Sequence, residues 1–405
     1  MDDRPTGPPA ASRSALGEGL GLVYSLILAA CSPARLVEAG RLLREIETGP
    51  AGAPARITLR YEIDGHGRVG DLYSPAAPAR AGLVVVPGAN PNGKDDPRLV
   101  AFATTMARFR FEVLVPELPG LRDMRVSSDD AGIVADALVA LSRHRAAQGN
   151  ATVGIVAISY SVGPAIISLL EDKARGAAHF LLGIGGYYDF ETAITFFTTG
   201  CYRMGGGAWR RRAPDDYGRW FFARSNAGFL DDPGDRAALE AMAERGLADA
   251  SADMADLVAA LGPQGRTVHD LLANRDPGRV GQLIDALPPR MREEISKLDL
   301  RSRDLSALQT RLILVHGYDD PVVPETESMA LAAAAPNARL YLLKSLRHVD
   351  PGRAGPVDKL KMLVAMHGVL AERDRVRRPG DTTRSSPLRL AARPGDGVFE
   401  PRDAK

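Results

Sequence analysis

Two serines lie where an apolar, strand-like run gives way to a helix-like one. Val153–Ile158 is followed by Ser159-Tyr160-Ser161-Val162-Gly163 and then by the apolar segment Pro164–Leu170. A sharp strand-to-helix turn can present one hydroxyl as a nucleophile if the residues two before and two after it are small. Ser159 and Gly163 flank Ser161 at those positions, so the pattern predicts Ser161 as the nucleophile. Ser159 is the rival candidate, and an ordinary β-to-α turn is the structural alternative.

A carboxylate and a histidine follow the two serines further along the chain. The strand-like run Leu312–Val315 leads into His316-Gly317-Tyr318-Asp319-Asp320-Pro321, and Leu346-Arg347-His348 comes after room for one more helix and strand. A serine hydroxyl is a weak nucleophile unless a neighbouring base removes its proton. The chain therefore offers His348 as a candidate general base and Asp320 as the acid that would orient it, with Asp319 beside it in the loop. The order Ser, Asp, His is the one expected of the α/β-hydrolase triad.

These segments together resemble the α/β-hydrolase superfamily, on its serine esterase and lipase side. The resemblance covers about residues 56 to 373 and includes Gly317-Tyr318-Asp319-Asp320-Pro321-Val322-Val323-Pro324, which fits the family pattern around the acid. It implies an α/β-hydrolase fold, with a mostly parallel, doubly wound sheet and a helical cap insertion. It also implies an oxyanion hole formed by the backbone N–H groups of Ala89 and Val162. The family's loop is commonly His-Gly-x, whereas here it is Pro87-Gly88-Ala89.

The function implied by the resemblance is hydrolysis of a carboxylic ester, or a related acyl bond, through the triad Ser161, His348 and Asp320 and an acyl-enzyme. The expected enzyme is similar to a carboxylesterase or lipase, and its expected partner is a small-molecule acyl ester. Two alternatives stay open: a catalytically inactive binding protein of the same fold, and an amide or peptide hydrolase. The triad chemistry itself serves all of these acyl bonds.

Changes in composition along the chain predict its organisation. The two halves of the core are expected at residues 56–189 and 306–373, separated by a helical insertion at 190–305, with a disordered tail at 374–405. The insertion carries apolar residues at helical spacing. It also carries an aromatic cluster that is either a substrate-binding surface or the core of the cap itself, namely Phe196, Phe197, Tyr202, Trp209, Tyr217, Trp220, Phe221 and Phe222.

The N-terminus resembles a bacterial lipoprotein signal peptide. Residues 19–30 are apolar but too few to span a bilayer, which takes about 20 residues, and they end in Leu28-Ala29-Ala30-Cys31. The resemblance implies a signal peptide at residues 1–31, lipid modification at Cys31, a tether or helix at residues 32–55, and a location in the cell envelope on a membrane anchor. The alternative is a buried N-terminal helix in a cytoplasmic enzyme.

Composition and spacing exclude several other functions. The 405 residues are 45% hydrophobic and have a net charge of +1, so the chain can bury a large core and presents no basic stripe for nucleic acid. The two cysteines lack metal-ligand spacing. The segment Gly88–Lys94 fits G-x-x-x-x-G-K, but Asp95 stands where a nucleotide-binding loop has Ser or Thr. We therefore expect no cofactor, no metal, no nucleotide and no nucleic-acid partner.

Overall fold

The computed structural model describes residues 32–52 and 55–375, and its centre is a sheet of eight strands. The strands of the described residues are β1 Ala55–Ile63, β2 His66–Ser74, β3 Ala81–Val86, β4 Phe111–Pro116, β5 Val153–Ile158, β6 Phe180–Ile184, β7 Cys201–Tyr202, β8 Arg210–Arg211, β9 Arg311–Gly317, β10 Ala338–Leu343, β11 Leu346–Arg347 and β12 Asp350–Pro351. The central order is β1-β2-β4-β3-β5-β6-β9-β10. β2 runs antiparallel to both its neighbours, and the other pairs are parallel.

Fourteen helices of the described residues accompany the sheet. They are α1 Pro33–Thr48, α2 Pro97–Arg108, α3 Pro119–Arg122, α4 Asp129–Ala147, α5 Val162–Leu170, α6 Phe190–Thr199, α7 Asp216–Asn226, α8 Pro233–Ala248, α9 Ala255–Ala260, α10 Pro263–Ala273, α11 Val280–Asp285, α12 Pro289–Leu298, α13 Glu325–Ala334 and α14 Pro356–Arg373. Parallel strands need such crossovers, because a hairpin turn cannot return the chain to the same end of the sheet.

The central strands are apolar along their whole length because helices cover both faces of the sheet. Every residue of β3 and β4 is buried, as expected for strands of a doubly covered sheet. One face packs on α4 and α5 through residues such as Leu138 and Ile166. The other packs on α1, α2 and α14 through residues such as Leu42, Met106 and Val369. The loops that follow the parallel strands meet at one edge, where the candidate site lies.

The helices α6 to α12 form an insertion between β6 and β9 with a hydrophobic core of its own. This core includes Ile194, Trp220, Leu239 and Met291. The insertion also contains the short antiparallel ribbon β7–β8, which helical spacing in the sequence does not reveal. Its contacts with the loop after α3 include a hydrogen bond from the Val126 backbone N–H to the Ser225 hydroxyl, 2.9 Å long.

The helix α1 packs on the core. Ala39 and Leu42 are fully buried, and the Arg373 side chain of α14 donates to both carboxylate oxygens of Glu38. The predicted lipidation residue Cys31 lies outside the described residues. Among those that are described, no helix is both long and apolar enough to cross a membrane.

A buried carboxylate joins α13 to the start of the insertion. Glu327 accepts hydrogen bonds from the backbone N–H groups of Tyr188 (3.0 Å) and Asp189 (2.8 Å) and from the Thr192 hydroxyl. Burial raises the pKa of Glu327 to about 7, although these hydrogen bonds act in the opposite direction. The folded protein therefore holds a proton there more tightly than the unfolded chain does.

This raised pKa predicts how stability changes with pH. The contribution of Glu327 is fully present below about pH 4.5 and is lost as pH rises through about 7. In Glu327→Gln, which keeps a neutral side chain of the same shape, we expect the free energy of unfolding relative to wild type to increase from pH 5 to pH 8. The increase is at most about 3 kcal/mol. Urea unfolding across this range measures it, and an offset that does not vary with pH would contradict the prediction.

Candidate active site

Ser159 follows β5 directly and has an unusual backbone conformation. Its φ is 57°, in the left-handed region that non-glycine residues seldom adopt and that costs about 1–3 kcal/mol. Its hydroxyl oxygen lies 2.7 Å from Nε2 of His348. A strained serine at a strand-to-helix turn, next to an imidazole, is the geometry of an activated nucleophile. The residues two before and two after it, Ala157 and Ser161, are both small.

The structure does not bring Ser161, the predicted nucleophile, to His348; the hydroxyl at His348 belongs to Ser159, two residues earlier. Ser161 is fully buried, and its hydroxyl donates to the carbonyl of Pro87 at 2.5 Å. Small residues flank each serine at a distance of two positions, so the sequence pattern fits either Ser159 or Ser161 as the nucleophile. Gly163 is small for a reason unrelated to the nucleophile. A Cβ at Gly163 would lie 2.1 Å from the hydroxyl oxygen of Tyr187. The position of the strand end at Ile158 is the signal that separates the two serines.

His348 and Asp320 meet as the sequence pattern proposes. Nδ1 of His348 lies 2.9 Å from Oδ2 of Asp320. The other carboxylate oxygen, Oδ1, accepts the backbone N–H groups of Val322 (2.8 Å) and Val323 (3.0 Å). Asp320 is fully buried, whereas the Asp319 side chain is 75% exposed. The geometry therefore places Asp320, and not its neighbour, behind the imidazole.

A second histidine supports this acid. His316 is fully buried, with Nδ1 2.6 Å from the Ser328 hydroxyl and Nε2 3.3 Å from Oδ2 of Asp320. Burial alone would raise the pKa of Asp320, but the hydrogen bonds with His316 and His348 outweigh it and hold the pKa well below its ordinary value. Asp320 is therefore ionised at neutral pH and stabilises an imidazolium at His348.

The predicted oxyanion donor at Val162 is wrong. Its backbone N–H donates to the carbonyls of Ser159 and Tyr160 within the helical turn, so it is not directed at a substrate. The residue that follows Ser159 is Tyr160, which the sequence pattern does not indicate as a donor. The Tyr160 N–H lies in the first turn of the helical segment, where backbone donors lack intrahelical acceptors. It replaces Val162 as the candidate donor.

The loop after β3 lies close to Ser159. A Cβ at Gly88 would lie 4.0 Å from the Cβ of Ser159, and Ala89 lines the same cavity. The Ala89 N–H therefore stays a prediction for the second donor. Lys94, in the segment that resembles a phosphate-binding loop, is ion-paired with the buried Asp71 at 2.9 Å. Its charge holds the loop against the sheet.

Tyr160 is anchored from two directions. Its hydroxyl donates to the carbonyl of Ser127 at 3.1 Å and lies 3.4 Å from Asp130, and its ring stacks on Tyr187 with centroids 6.3 Å apart. Burial raises the pKa of Asp130 to about 7. These contacts fix the backbone of the residue that follows Ser159.

An arginine of the insertion holds the loop that carries the acid. Arg212, which follows β8, donates to the carbonyl of Asp320 (2.9 Å) and to that of Tyr318 (3.2 Å), and it pairs with the buried Glu325 (2.9 Å). Nearby, the Asp215 N–H donates to the Pro321 carbonyl at 2.7 Å. The insertion therefore contributes to the position of Asp320.

A cavity of about 990 Å³ opens onto Ser159 and His348. On its cap side it is lined by Phe197, Tyr217, Phe221 and Phe222, which fits the substrate-surface interpretation of these aromatics. Phe196 and Trp220 are instead buried within the protein, and Trp209 is 41% exposed beside Arg203. The aromatic cluster therefore divides between the two predicted roles. Within the described ranges, no group of three or more His, Cys, Asp or Glu side chains could hold a metal ion.

Similarity to solved structures identifies the fold. A candidate hydrolase from Legionella pneumophila aligns with a TM-score of 0.52 at 11% identity, over 83% of this chain and 95% of that one. The rice cell wall degrading esterase LipA from Xanthomonas oryzae aligns with a TM-score of 0.47 at 15% identity, over 83% and 95%. The acylaminoacyl peptidase of Pyrococcus horikoshii aligns with a TM-score of 0.43 at 11% identity, and the match spans 82% of this chain but only 42% of the peptidase.

No protein-family model and no curated protein sequence matches the chain. The structural similarity and the sheet order together confirm the predicted fold class, an α/β-hydrolase fold with a mostly parallel sheet. At such low identity the similarity bears on the fold alone, so the function must be argued from the site.

Proposed function

We propose that this protein is a serine hydrolase of carboxylic esters, with Ser159 as nucleophile, His348 as general base and Asp320 as the acid that orients it. One observation carries the proposal. The hydroxyl of Ser159, a residue with a strained backbone, lies 2.7 Å from Nε2 of His348, and Nδ1 of the same ring lies 2.9 Å from the buried carboxylate of Asp320. A catalytically inactive binding protein would have no need to keep this strained and aligned arrangement.

The proposed reaction has two halves. Ser159 Oγ attacks the acyl carbonyl while its proton passes to Nε2 of His348, and the developing oxyanion lies near the N–H groups of Tyr160 and Ala89. The bond to the alcohol then breaks, and the leaving oxygen takes the proton from His348. In the second half, water loses a proton to His348 and attacks the carbonyl of the acyl-enzyme. The bond between the acyl carbon and Ser159 Oγ then breaks, His348 returns the proton to Oγ, and the acid is released.

Two measurements test this function. Purified protein should be labelled by a fluorophosphonate and should release p-nitrophenol from p-nitrophenyl acyl esters. A matched set of p-nitroanilides distinguishes an esterase from an amide hydrolase. Because p-nitrophenoxide leaves far more easily than an amide nitrogen, both kinds of enzyme would cleave the esters, so the anilides decide: we expect them to stay uncleaved, and their hydrolysis would indicate an amide hydrolase. Absence of both labelling and turnover, in protein whose unfolding is cooperative, would support the inactive binding protein.

For location, we propose lipid modification of Cys31 and attachment to the cell envelope, on the grounds of the segment Leu28-Ala29-Ala30-Cys31. In a bacterium expressing the chain from Met1, wild type should incorporate labelled palmitate and sediment with membranes, whereas Cys31→Ser should do neither. Two acyl chains are needed for stable anchoring. Unlabelled wild type that retains the residues before Cys31 would instead favour a cytoplasmic enzyme.

A further inference from the structure

The cavity at Ser159 extends away from the cap, into a space between α1, α2 and α14 that we call the helical lobe. Its walls are Leu43, Ile46, Leu99, Phe102, Met362 and Met366. We propose that the helical lobe binds an unbranched alkyl chain of the ester substrate. This inference rests on the proposed esterase function and specifies its substrate class.

The strand register places the floor of the helical lobe beside the nucleophile. Ile158, which immediately precedes Ser159, pairs with Ile184 of β6, and Ile184 pairs with Val315 of β9. All three line the cavity. Ile184 and Val315 form the floor of the helical lobe. Because adjacent strands lie about 4.8 Å apart, Ile184 is only one strand spacing from Ile158, the residue before Ser159. Ile184 and Val315 belong to the hydrophobic cluster shared with α1, α2 and α14. A chain leaving the acyl centre can therefore pass directly into the helical lobe.

The chemistry of the walls selects an apolar ligand. All six wall residues are apolar, and their surface would be removed from water by an alkyl chain but would penalise a charged group. Of the acidic residues that also line the cavity, Asp96 caps α2 by accepting the N–H groups of Arg98 and Leu99, and Glu45 pairs with Arg108. These two charges are thus already engaged by the protein, and Glu47, which also lines the cavity, is exposed, so its carboxylate can stay in water. The Thr105 hydroxyl of α2 is a buried polar group on the cavity wall that has no hydrogen-bond partner among the described residues.

The two sides of the cavity differ in the kind of apolar side chain that lines them. The cap side carries aromatic rings such as Phe197, Phe221 and Phe222, whereas the walls of the helical lobe are mainly aliphatic and methionine side chains. The total volume of about 990 Å³ lies at the upper end of the roughly 300–1,000 Å³ typical of ligand sites. Such a space is larger than an acetyl ester needs. The alkyl chain could belong to the acyl group or to the alcohol of the ester, since both present the same methylene groups to the helical lobe.

The test compares two ester series: p-nitrophenyl esters from acetate to dodecanoate, and acetates of unbranched alcohols of the same lengths. In one series kcat/KM should rise by up to about fourfold per methylene until the lobe is full, and that series identifies the part of the ester that enters. Met362→Trp and Leu43→Trp, at half-buried wall positions, should lower the ratio of long-chain to short-chain kcat/KM at least tenfold. Phe102→Ala should lengthen the preferred chain.

Leu363→Trp is the matched control. Leu363 neighbours Met362 on α14 and is likewise half-buried, but it does not line the cavity, so its chain-length ratio should equal that of wild type. The inference is overturned if both series are flat in wild type, or if Leu363→Trp changes the ratio as much as Met362→Trp. Circular dichroism of each variant checks folding, and Phe102→Ala tests the lobe by enlargement should the larger side chains prevent folding.

Failure of the proposed function would be seen separately. If wild type hydrolyses no ester of either series, the esterase proposal fails. The helical lobe is then tested by fluorescence titration with N-dodecyl dansylamide, an uncharged probe whose unbranched chain ends in a free methyl group. Saturable binding weakened at least tenfold in Met362→Trp but not in Leu363→Trp would support an alkyl-chain site without catalysis. No saturable binding to wild type would overturn the site as well.

Discussion

Ser159→Ala should abolish fluorophosphonate labelling and lower kcat by about 10⁵- to 10⁶-fold, as removal of the nucleophile does in other serine hydrolases. The reason is the arrangement at the end of β5, where the Ser159 hydroxyl is the one placed 2.7 Å from His348 Nε2. Without it, no acyl-enzyme forms. Intact-protein mass spectrometry after reaction with the probe measures the labelling, and the p-nitrophenyl assay measures kcat.

Ser161→Ala is the informative control because the two serines are only two residues apart. This change removes the hydrogen bond to the Pro87 carbonyl and leaves that buried acceptor unpaired, which costs about 1–3 kcal/mol of stability. Labelling should persist, with activity reduced about tenfold at most. The opposite result, labelling lost in Ser161→Ala and kept in Ser159→Ala, would restore the assignment made from the sequence pattern.

Asp320→Asn should lower kcat by about 10⁴-fold while leaving the fold intact. The surrounding donors dictate how the new amide is oriented. The Val322 and Val323 N–H groups require an acceptor at the Oδ1 position, so the amide nitrogen must take the Oδ2 position and face Nδ1 of His348. Nδ1 of His348 then has to accept a hydrogen bond from this amide, so the imidazole proton must sit on Nε2. An imidazole in this tautomer cannot remove the Ser159 proton.

Asp319→Asn provides the comparison for the acid. Asp319 is exposed and lies 3.6 Å from Arg212, and surface ion pairs of this kind contribute little, so kcat should change less than about threefold. A deeper loss at Asp319 than at Asp320 would show that the acid has been misassigned. Because the pKa of Asp320 is held low by its two histidine partners, its ionisation should not limit the pH profile between pH 5 and 8.

The fold and two members of the proposed triad could be predicted from sequence because each depends on a local signal. Apolar strand runs of four to six residues mark β5 and β9, and the Asp-Pro-Val-Val-Pro segment marks the loop that carries Asp320. The small-residue pattern alone does not fix the nucleophile, although the strand end at Ile158 favours Ser159. Small residues occur at both Ala157/Ser161 and Ser159/Gly163, and only the packing of Gly163 on Tyr187 explains the second pair.

The helical lobe and the support of the acid also depend on contacts between distant segments. Leu43 and Met362 are more than 300 residues apart in the chain, yet they line one cavity. Arg212 comes from the insertion and reaches the loop after β9. No local pattern in the sequence links such residues, because tertiary packing alone brings them together.

The contacts of Arg212 link any opening of the insertion to the position of Asp320, the proposed acid. A movement that lifts the segment after β8 away from the β9–α13 loop would break the hydrogen bonds to Asp320 and Tyr318 and the ion pair with Glu325 together. The buried Glu325 would then lose its compensating charge, which is costly. Arg212 thus holds the insertion against the β9–α13 loop. We therefore expect substrate to enter and product to leave by paths that do not require the insertion to separate from this loop.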